Sequence, residues 1–191
     1  MVLLAPSVEQ LGRALEAVGH LVSGIREGQW SNPTPCTDWT VEDLVNHLVD
    51  VNLAVAASLT HQAPPEPGTR HLNSTPVEVY VRSSGAVQAA FDQPQALELI
   101  YQGPFGETTG AALLLVRMAD LLTHGWDLAR ATGQPVDLPE DLAEQALTFV
   151  SRQFTEPVRN GRFDPAQAIS EDAPAIDRLA AFLGRPAAGA D

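Results

Sequence analysis

Four long stretches of this chain repeat apolar residues at the spacing of an α-helix, which restricts the fold more than any other feature. Each begins near a residue that can cap a helix; Thr75, for example, is followed by proline and then, at the third helical position, by Glu78. The predicted helices span residues 7–27, 40–60, 75–91 and 109–131, and Gly28 is expected to end the first. Such a pattern is typical of an antiparallel four-helix bundle, whose sites form between facing helices.

The sequence predicts little other regular structure. Residues 97–101 are typical of a short strand or an extended loop, and residues 155–174 are expected to be irregular. A fifth helix is predicted over residues 138–154 and a last helical turn or two over residues 177–183. We therefore expect an all-α fold in one domain over residues 1–191, with a core bundle at about 7–132 and a short C-terminal helical extension at about 139–184.

The charge of the chain disfavours one large class of partner. Its 24 acidic residues outnumber 11 basic residues, all of them arginine, and the formal net charge is -13. A surface of this sign repels phosphate backbones, so we expect no nucleic-acid partner.

Three further observations predict a cytoplasmic location without membrane contact. No stretch approaches the roughly 20 apolar residues of a membrane span. The start of the chain lacks the basic residues of a signal peptide. Cys36 is the single cysteine, which excludes an intrachain disulfide and fits a reducing compartment.

Four polar residues share one narrow face of the fourth predicted helix. Arg117, Asp120, His124 and Asp127 are spaced three, four and three positions apart, so at about 100° per residue they lie on one side. Asp120 and His124 are close enough to bind one divalent metal ion. Periodicity alone favours a simpler interpretation, in which this face is solvated and Arg117–Asp120 and His124–Asp127 are ordinary surface pairs.

The second predicted helix supplies a third candidate ligand, His47. This histidine lies at the edge of an apolar stripe, where a half-buried structural histidine is the more common interpretation. With Asp120 and His124 it would give three ligands and one open position, the arrangement of catalytic zinc. The weaker candidates lack a partner at ligand spacing or flank a proline-rich loop: His20, His61 and His71.

Two segments resemble a known family. The segment from Pro33 to Val49, PTPCTDWTVEDLVNHLV, and the segment from Leu115 to Gly133, LVRMADLLTHGWDLARATG, resemble the N-terminal metal-binding domain of mycothiol-dependent maleylpyruvate isomerases. Those domains belong to the DinB/YfiT-like superfamily of four-helix metalloproteins. The chain is most similar to its short, single-domain actinobacterial members.

The resemblance implies a metal site made of His47, Asp120 and His124, holding a divalent ion, with zinc or nickel expected. It also implies mycothiol as a cosubstrate and allows a homodimer. Asp120 stands where the isomerases have glutamate, which leaves the identity of the metal open. The isomerases continue into a C-terminal domain that this sequence is not expected to contain, so maleylpyruvate isomerisation is not expected to transfer intact.

Two classes of function follow from the resemblance. The first is a metal-dependent transferase or isomerase that uses a low-molecular-weight thiol on a small molecule. The alternative is a non-catalytic metal-binding or structural helical bundle. Arg117 and Asp127 are predicted either to face the ligands or the substrate, or to form surface salt bridges.

Three residues near the motifs have two interpretations each. Cys36 precedes a helix N-terminus, where thiolates are favoured, but a small packed loop residue is the more common case. Trp39 and Trp126 are expected to anchor the core, with a pocket wall as the alternative.

Overall fold

The computed structural model describes residues 5–36, 38–63, 66, 75–159 and 163–186. This part of the chain is mostly helical and contains one small sheet. The helices are α1 Val8–Ser23, α2 Val41–Leu59, α3 Pro76–Phe91, α4 Gly110–Thr132, α5 Glu140–Gln153, α6 Glu156–Arg159 and α7 Ala175–Phe182, with a 3-10 turn at Glu27–Gln29. The strands are β1 Ile100–Gly103 and β2 Gly106–Thr109. His71 lies outside the described residues, and so does most of the proline-rich loop between His61 and His71.

The predicted starts of the four long helices are confirmed. Ser7, Thr40 and Thr75 each cap a helix through a reciprocal capping box, and the hydroxyl of Thr109 accepts from the Ala112 amide at the start of α4. These starts depend on contacts within one turn, so they can be read from neighbouring residues.

The predicted end of the first helix at Gly28 is wrong, because α1 ends four residues earlier at the C-cap Gly24. The side-chain amide of Gln134 donates to the Leu21 carbonyl, which a continuing helix would pair with Ile25. A Cβ on Gly24 would lie 2.1 Å from Gln134 Oε1, so a larger residue there would require the Gln134 side chain to move. The Leu21 carbonyl in the last turn of α1 is thus partnered by a residue 113 positions away.

Helix α4 is the centre of the structure. It packs against α1 and α2 on one side and against α5 and α7 on the other, while α3 closes the ring between α1 and α2. Nearly every residue of α4 from Arg117 to Ala129 is buried, as expected for a helix covered by protein on all sides. Polar residues on such a helix face other elements, so the elements packed against α4 decide which side chains meet.

A hairpin of β1 and β2 lies between α3 and α4. Its strands pair antiparallel from Ile100 opposite Thr109 to Gly103 opposite Gly106. The predicted strand at residues 97–101 is therefore shifted toward the C-terminus and has a partner. The segment predicted to be irregular contains the short helix α6, and α7 begins two residues before its predicted start. No helix in the described ranges is long and apolar enough to cross a membrane.

Tyr80 connects α3 to α1 and should make stability fall at alkaline pH. Its hydroxyl donates to the Leu15 carbonyl at 3.0 Å, and burial raises the pKa of Tyr80 to about 12. An unfolded tyrosine has a pKa of about 10, so the folded state holds this proton more tightly. The resulting contribution to stability is complete below pH ~10 and is lost as the pH rises toward ~12.

The chain has no lysine, so few other side chains titrate in that window. We expect the free energy of urea unfolding to fall by about 2 kcal/mol between pH ~10 and ~12. Tyr80→Phe should remove most of that slope. Equal slopes in the two proteins would show that Tyr80 is not the group responsible.

Candidate metal centre

Helices α2 and α4 bring together the three candidate metal ligands. Asp120 Oδ1 lies 3.3 Å from His47 Nε2 and 3.5 Å from His124 Nε2. One donor atom of each residue lies within 4.8 Å of the other two. The three donors therefore converge in the space between the two helices.

The spacing of these donors suits a small divalent ion. Two ligands of a tetrahedral zinc ion, each at about 2.0–2.1 Å from it, are separated by about 3.3 Å. The two distances from Asp120 Oδ1 are close to that separation. Although aspartate is one methylene shorter than glutamate, its carboxylate reaches both imidazoles. Two imidazoles and one carboxylate suit zinc and are also accepted by nickel.

Arg117 holds the second oxygen of the Asp120 carboxylate. It donates from Nη1 to Asp120 Oδ2, and only 1% of the residue is exposed. Its Nε donates to Asn52 Oδ1 at 3.0 Å and its Nη2 to the Leu48 carbonyl at 3.1 Å. Asn52 donates in turn to Ser83 Oγ on α3 at 3.1 Å. These buried hydrogen bonds determine which oxygen of Asp120 faces the histidines.

Asp127 holds His124 from the other side of the ring. Asp127 Oδ2 lies 3.0 Å from His124 Nδ1, and Asp127 is 0% exposed. Arg185 binds the same carboxylate through Nη2 at 2.8 Å and Nε at 3.2 Å. A carboxylate that accepts the Nδ1 hydrogen fixes the orientation of a histidine and leaves its Nε2 free to bind a metal.

The turn after α7 brings Arg185 to this position. Gly184 has a φ of 92°, and a Cβ there would lie 2.7 Å from the Cβ of Asp164. Glycine is therefore required at the point where the chain turns back toward α4. Arg185 also donates from Nη1 to the Leu183 carbonyl at 3.1 Å.

Trp39 covers both histidines. Its ring centroid lies 4.7 Å from that of His47 and 5.7 Å from that of His124, with the second pair stacked. Trp39 therefore contacts the site, whereas Trp126 is a core residue whose indole donates to Asp177 Oδ1 at 2.7 Å.

Cys36 lies on the Asp127 side of His124. One donor atom from each of these three residues lies within 4.8 Å of the other two. Burial raises the pKa of the Cys36 thiol, which favours its protonated, less nucleophilic form. Both oxygens of Asp127 already accept from Arg185, so this second group of residues suits an ion less well than the first.

Charge pairing outweighs burial for both carboxylates of the site. Burial raises the pKa of Asp120, but the charges of His124 and Arg117 hold it well below its ordinary value. Burial likewise raises the pKa of Asp127, and hydrogen bonds from His124 and Arg185 lower it overall. Burial lowers the pKa of His124, yet the charge and hydrogen bond of Asp120 raise it overall.

A cavity of about 200 Å³ opens above the three donors. His47, Asp120 and His124 line it together with Arg117 and Arg185. The remaining walls are mostly apolar and include Val51, Val55, Leu113, Val116, Phe154 and Leu183. A small molecule in this cavity would contact the donor atoms.

Comparison with known proteins decides the family. The sequence profile described as the mycothiol maleylpyruvate isomerase N-terminal domain matches residues 11–129, well over half of the chain. The chain belongs to this family. Two uncharacterised proteins from two strains of Mycobacterium tuberculosis are each 34% identical to it over 177 residues, which cover 91% of this chain and 94% of each relative.

A solved structure shows that this family member shares the isomerase fold. The crystal structure of a histidine-to-alanine variant of mycothiol-dependent maleylpyruvate isomerase superposes with a TM-score of 0.60 at 14% sequence identity. The match covers 78% of this chain and 70% of the isomerase. At this identity the likeness concerns the fold.

The structure corrects the solvent-face interpretation of the polar stripe in this family member. Arg117 and Asp127 are buried, and each binds a residue that bears a candidate donor atom. Sequence reasoning did not find Asn52 and Arg185. Helical spacing places Asn52 on the buried side of α2, four residues after Leu48, so a signal for it existed. Arg185 follows the last predicted helix, where no periodicity signals a contact. His20 and His61 are exposed.

Proposed function

We propose that this protein holds a divalent metal ion, zinc or nickel, and uses it in thiol-dependent transfer or isomerisation of a small molecule. In this proposal α1–α4 form the DinB-type four-helix bundle. The convergence of two imidazoles and one carboxylate at the floor of a cavity is the observation that carries it. Membership of a family named for a mycothiol-dependent isomerase supports the choice of a thiol cosubstrate.

The residues of the site have two roles in this proposal: some would hold the ion, and others keep its ligands in place. His47 Nε2, Asp120 Oδ1 and His124 Nε2 would hold the ion. When bound, such an ion lowers the pKa of a thiol or water and polarises a carbonyl oxygen. Arg117, which donates to Asp120 Oδ2, would leave Oδ1 as the oxygen that binds the ion.

The cavity supports a catalytic role over the non-catalytic alternative. A purely structural metal site is closed by four protein ligands, whereas a catalytic one keeps a position open. Here three donors border a cavity rather than packed side chains. A bound thiol and a second reactant would therefore meet on the cavity side of the donors.

The metal site is tested by replacing His47, which is half-buried. His47→Ala should lower zinc affinity by at least about 100-fold, a larger loss than removal of an outer contact causes. His20→Ala makes the same change on an exposed face of α1 and should leave affinity unchanged. Isothermal titration calorimetry with Zn²⁺ measures both.

A second experiment examines the thiol. Cobalt-loaded wild-type protein should develop a thiolate-to-metal absorption band on addition of mycothiol, and His47→Ala should not. If the wild-type protein binds cobalt but shows no such band, the thiol part of the proposal is wrong and the non-catalytic alternative is favoured.

Arg185 should matter for metal affinity, although its shortest hydrogen bond goes to Asp127 and not to a candidate metal ligand. Arg185→Gln removes the charge that holds Asp127 against His124, so zinc affinity should fall by about 10-fold, as for other outer contacts of metal sites. Arg178→Gln removes an arginine on α7 that pairs with Glu144, and it is the control. Equal affinities for both variants would contradict the role assigned to Arg185.

A further inference from the structure

The wall of the cavity places a limit on the ligand. Val51 and Val55 of α2 line it with Leu113 and Val116 of α4, together with Phe154 and Leu183. Hydrocarbon of this kind favours apolar surface and penalises a charged group that finds no partner.

Three phenylalanines add an aromatic side to the cavity. The ring centroid of Phe154 lies 5.0 Å from that of Phe105, edge to face, and 5.3 Å from that of Phe163, nearly parallel. Phe105, in the turn of the hairpin, lines the cavity yet is 40% exposed, which places it at the rim. Such rings offer both faces and edges to another ring.

The cations that line the cavity are already paired. Arg117 is bound to Asp120 and Asn52, and Arg185 is bound to Asp127 and the Leu183 carbonyl. Among the described lining residues these arginines are the only permanent cations. To pair with either arginine, a second carboxylate on a ligand would therefore have to compete with Asp120 or Asp127.

The hydroxyl of Thr123 is also committed, because it donates to the Ala119 carbonyl at 2.7 Å. The polar character of the cavity is thus concentrated at the three donors, His47, Asp120 and His124. The net charge of -13 adds to the penalty for a multiply charged anion approaching from solvent.

We propose that the small-molecule reactant, as distinct from the thiol cosubstrate, has one metal-binding head, an apolar and preferably aromatic body, and no second ionised group. The inference rests on the proposed function for the head. The apolar body is inferred from the walls alone. The site thus excludes dicarboxylic acids of similar size.

The test compares two thiols on the zinc-loaded full chain. Benzyl mercaptan and 4-(mercaptomethyl)benzoate carry the same thiol head on the same ring, and the second adds a carboxylate too far from the thiol to reach the same metal ion. Benzyl mercaptan should bind at least about tenfold more tightly by calorimetry, since the added carboxylate would have to take an arginine of the cavity lining from its present partner. Equal or tighter binding of 4-(mercaptomethyl)benzoate would overturn the inference.

A third probe separates this inference from the proposed function. Toluene has no metal-binding head, and it should bind the metal-free chain in saturation-transfer NMR. Phe105→Ser should weaken the binding of toluene and of benzyl mercaptan by about threefold or more. Ile100→Ser makes a comparable change at an exposed hairpin residue outside the cavity lining and should weaken neither.

The outcomes then distinguish the two claims. If toluene binds in a Phe105-dependent way while neither thiol binds the zinc-loaded chain, the inference stands and the proposed thiol function fails. The inference is overturned if Phe105→Ser leaves toluene binding unchanged. It is also overturned if toluene does not bind and benzyl mercaptan is not preferred.

Discussion

Asp120→Asn is expected to abolish tight metal binding, with a loss of at least about 100-fold in zinc affinity. Asparagine keeps the size of the side chain but removes the negative charge that two imidazoles and a buried guanidinium share. Asp120 Oδ1 is the atom nearest to both histidines, so a neutral oxygen there weakens the whole donor set. Zinc content after dialysis and calorimetric titration measure the change.

Two control variants separate charge from geometry. Asp120→Glu keeps the carboxylate and should retain zinc within about tenfold. Asp141→Asn makes the same chemical change as Asp120→Asn, but at an exposed ion pair with Arg13, and should leave zinc affinity unchanged. If Asp120→Asn bound zinc as tightly as Asp141→Asn, Asp120 would not be a ligand.

Arg117→Met is expected to cost about 3 kcal/mol of unfolding free energy in the metal-free protein. Removing Arg117 leaves the Asp120 carboxylate with only the two histidines to offset its charge, and Asn52 also loses its donor. The Asp120 side chain is 26% exposed, so water partly offsets the lost charge. The expected cost is therefore at the lower end of the usual range for buried pairs.

Arg130→Met is the matched control for this prediction. Arg130 also lies on α4, but its side chain is 40% exposed and contacts the Trp126 ring at 5.0 Å. Its replacement should cost about 1 kcal/mol or less. Urea unfolding of both variants measures the difference. Equal losses would mean that the Arg117 network adds no more stability than a surface contact.

How far the sequence predicts the fold depends on how local each signal is. Ser7, Thr40, Thr75 and Thr109 begin helices through hydrogen bonds within one turn, so their roles could be inferred from neighbouring residues. The hydrogen bond from Gln134 to the last turn of α1 could not, because Gln134 comes from the segment after α4.

The site shows the same division. The spacing of Arg117, Asp120, His124 and Asp127 predicts that they share a face, but it does not say what covers that face. Here α2 covers Arg117 and the segment after α7 covers Asp127. Resemblance to a family of metalloproteins, rather than periodicity, favoured the metal interpretation. No local pattern predicts the position of Arg185.

The central claim is that one metal ion is bound by His47, Asp120 and His124. Anomalous scattering from crystals grown with Zn²⁺ and collected at the zinc edge tests it most directly. We predict one strong peak per chain, at about 2.0–2.2 Å from His47 Nε2, His124 Nε2 and Asp120 Oδ1. The absence of a peak between α2 and α4, or a peak bound by other residues, would contradict the claim.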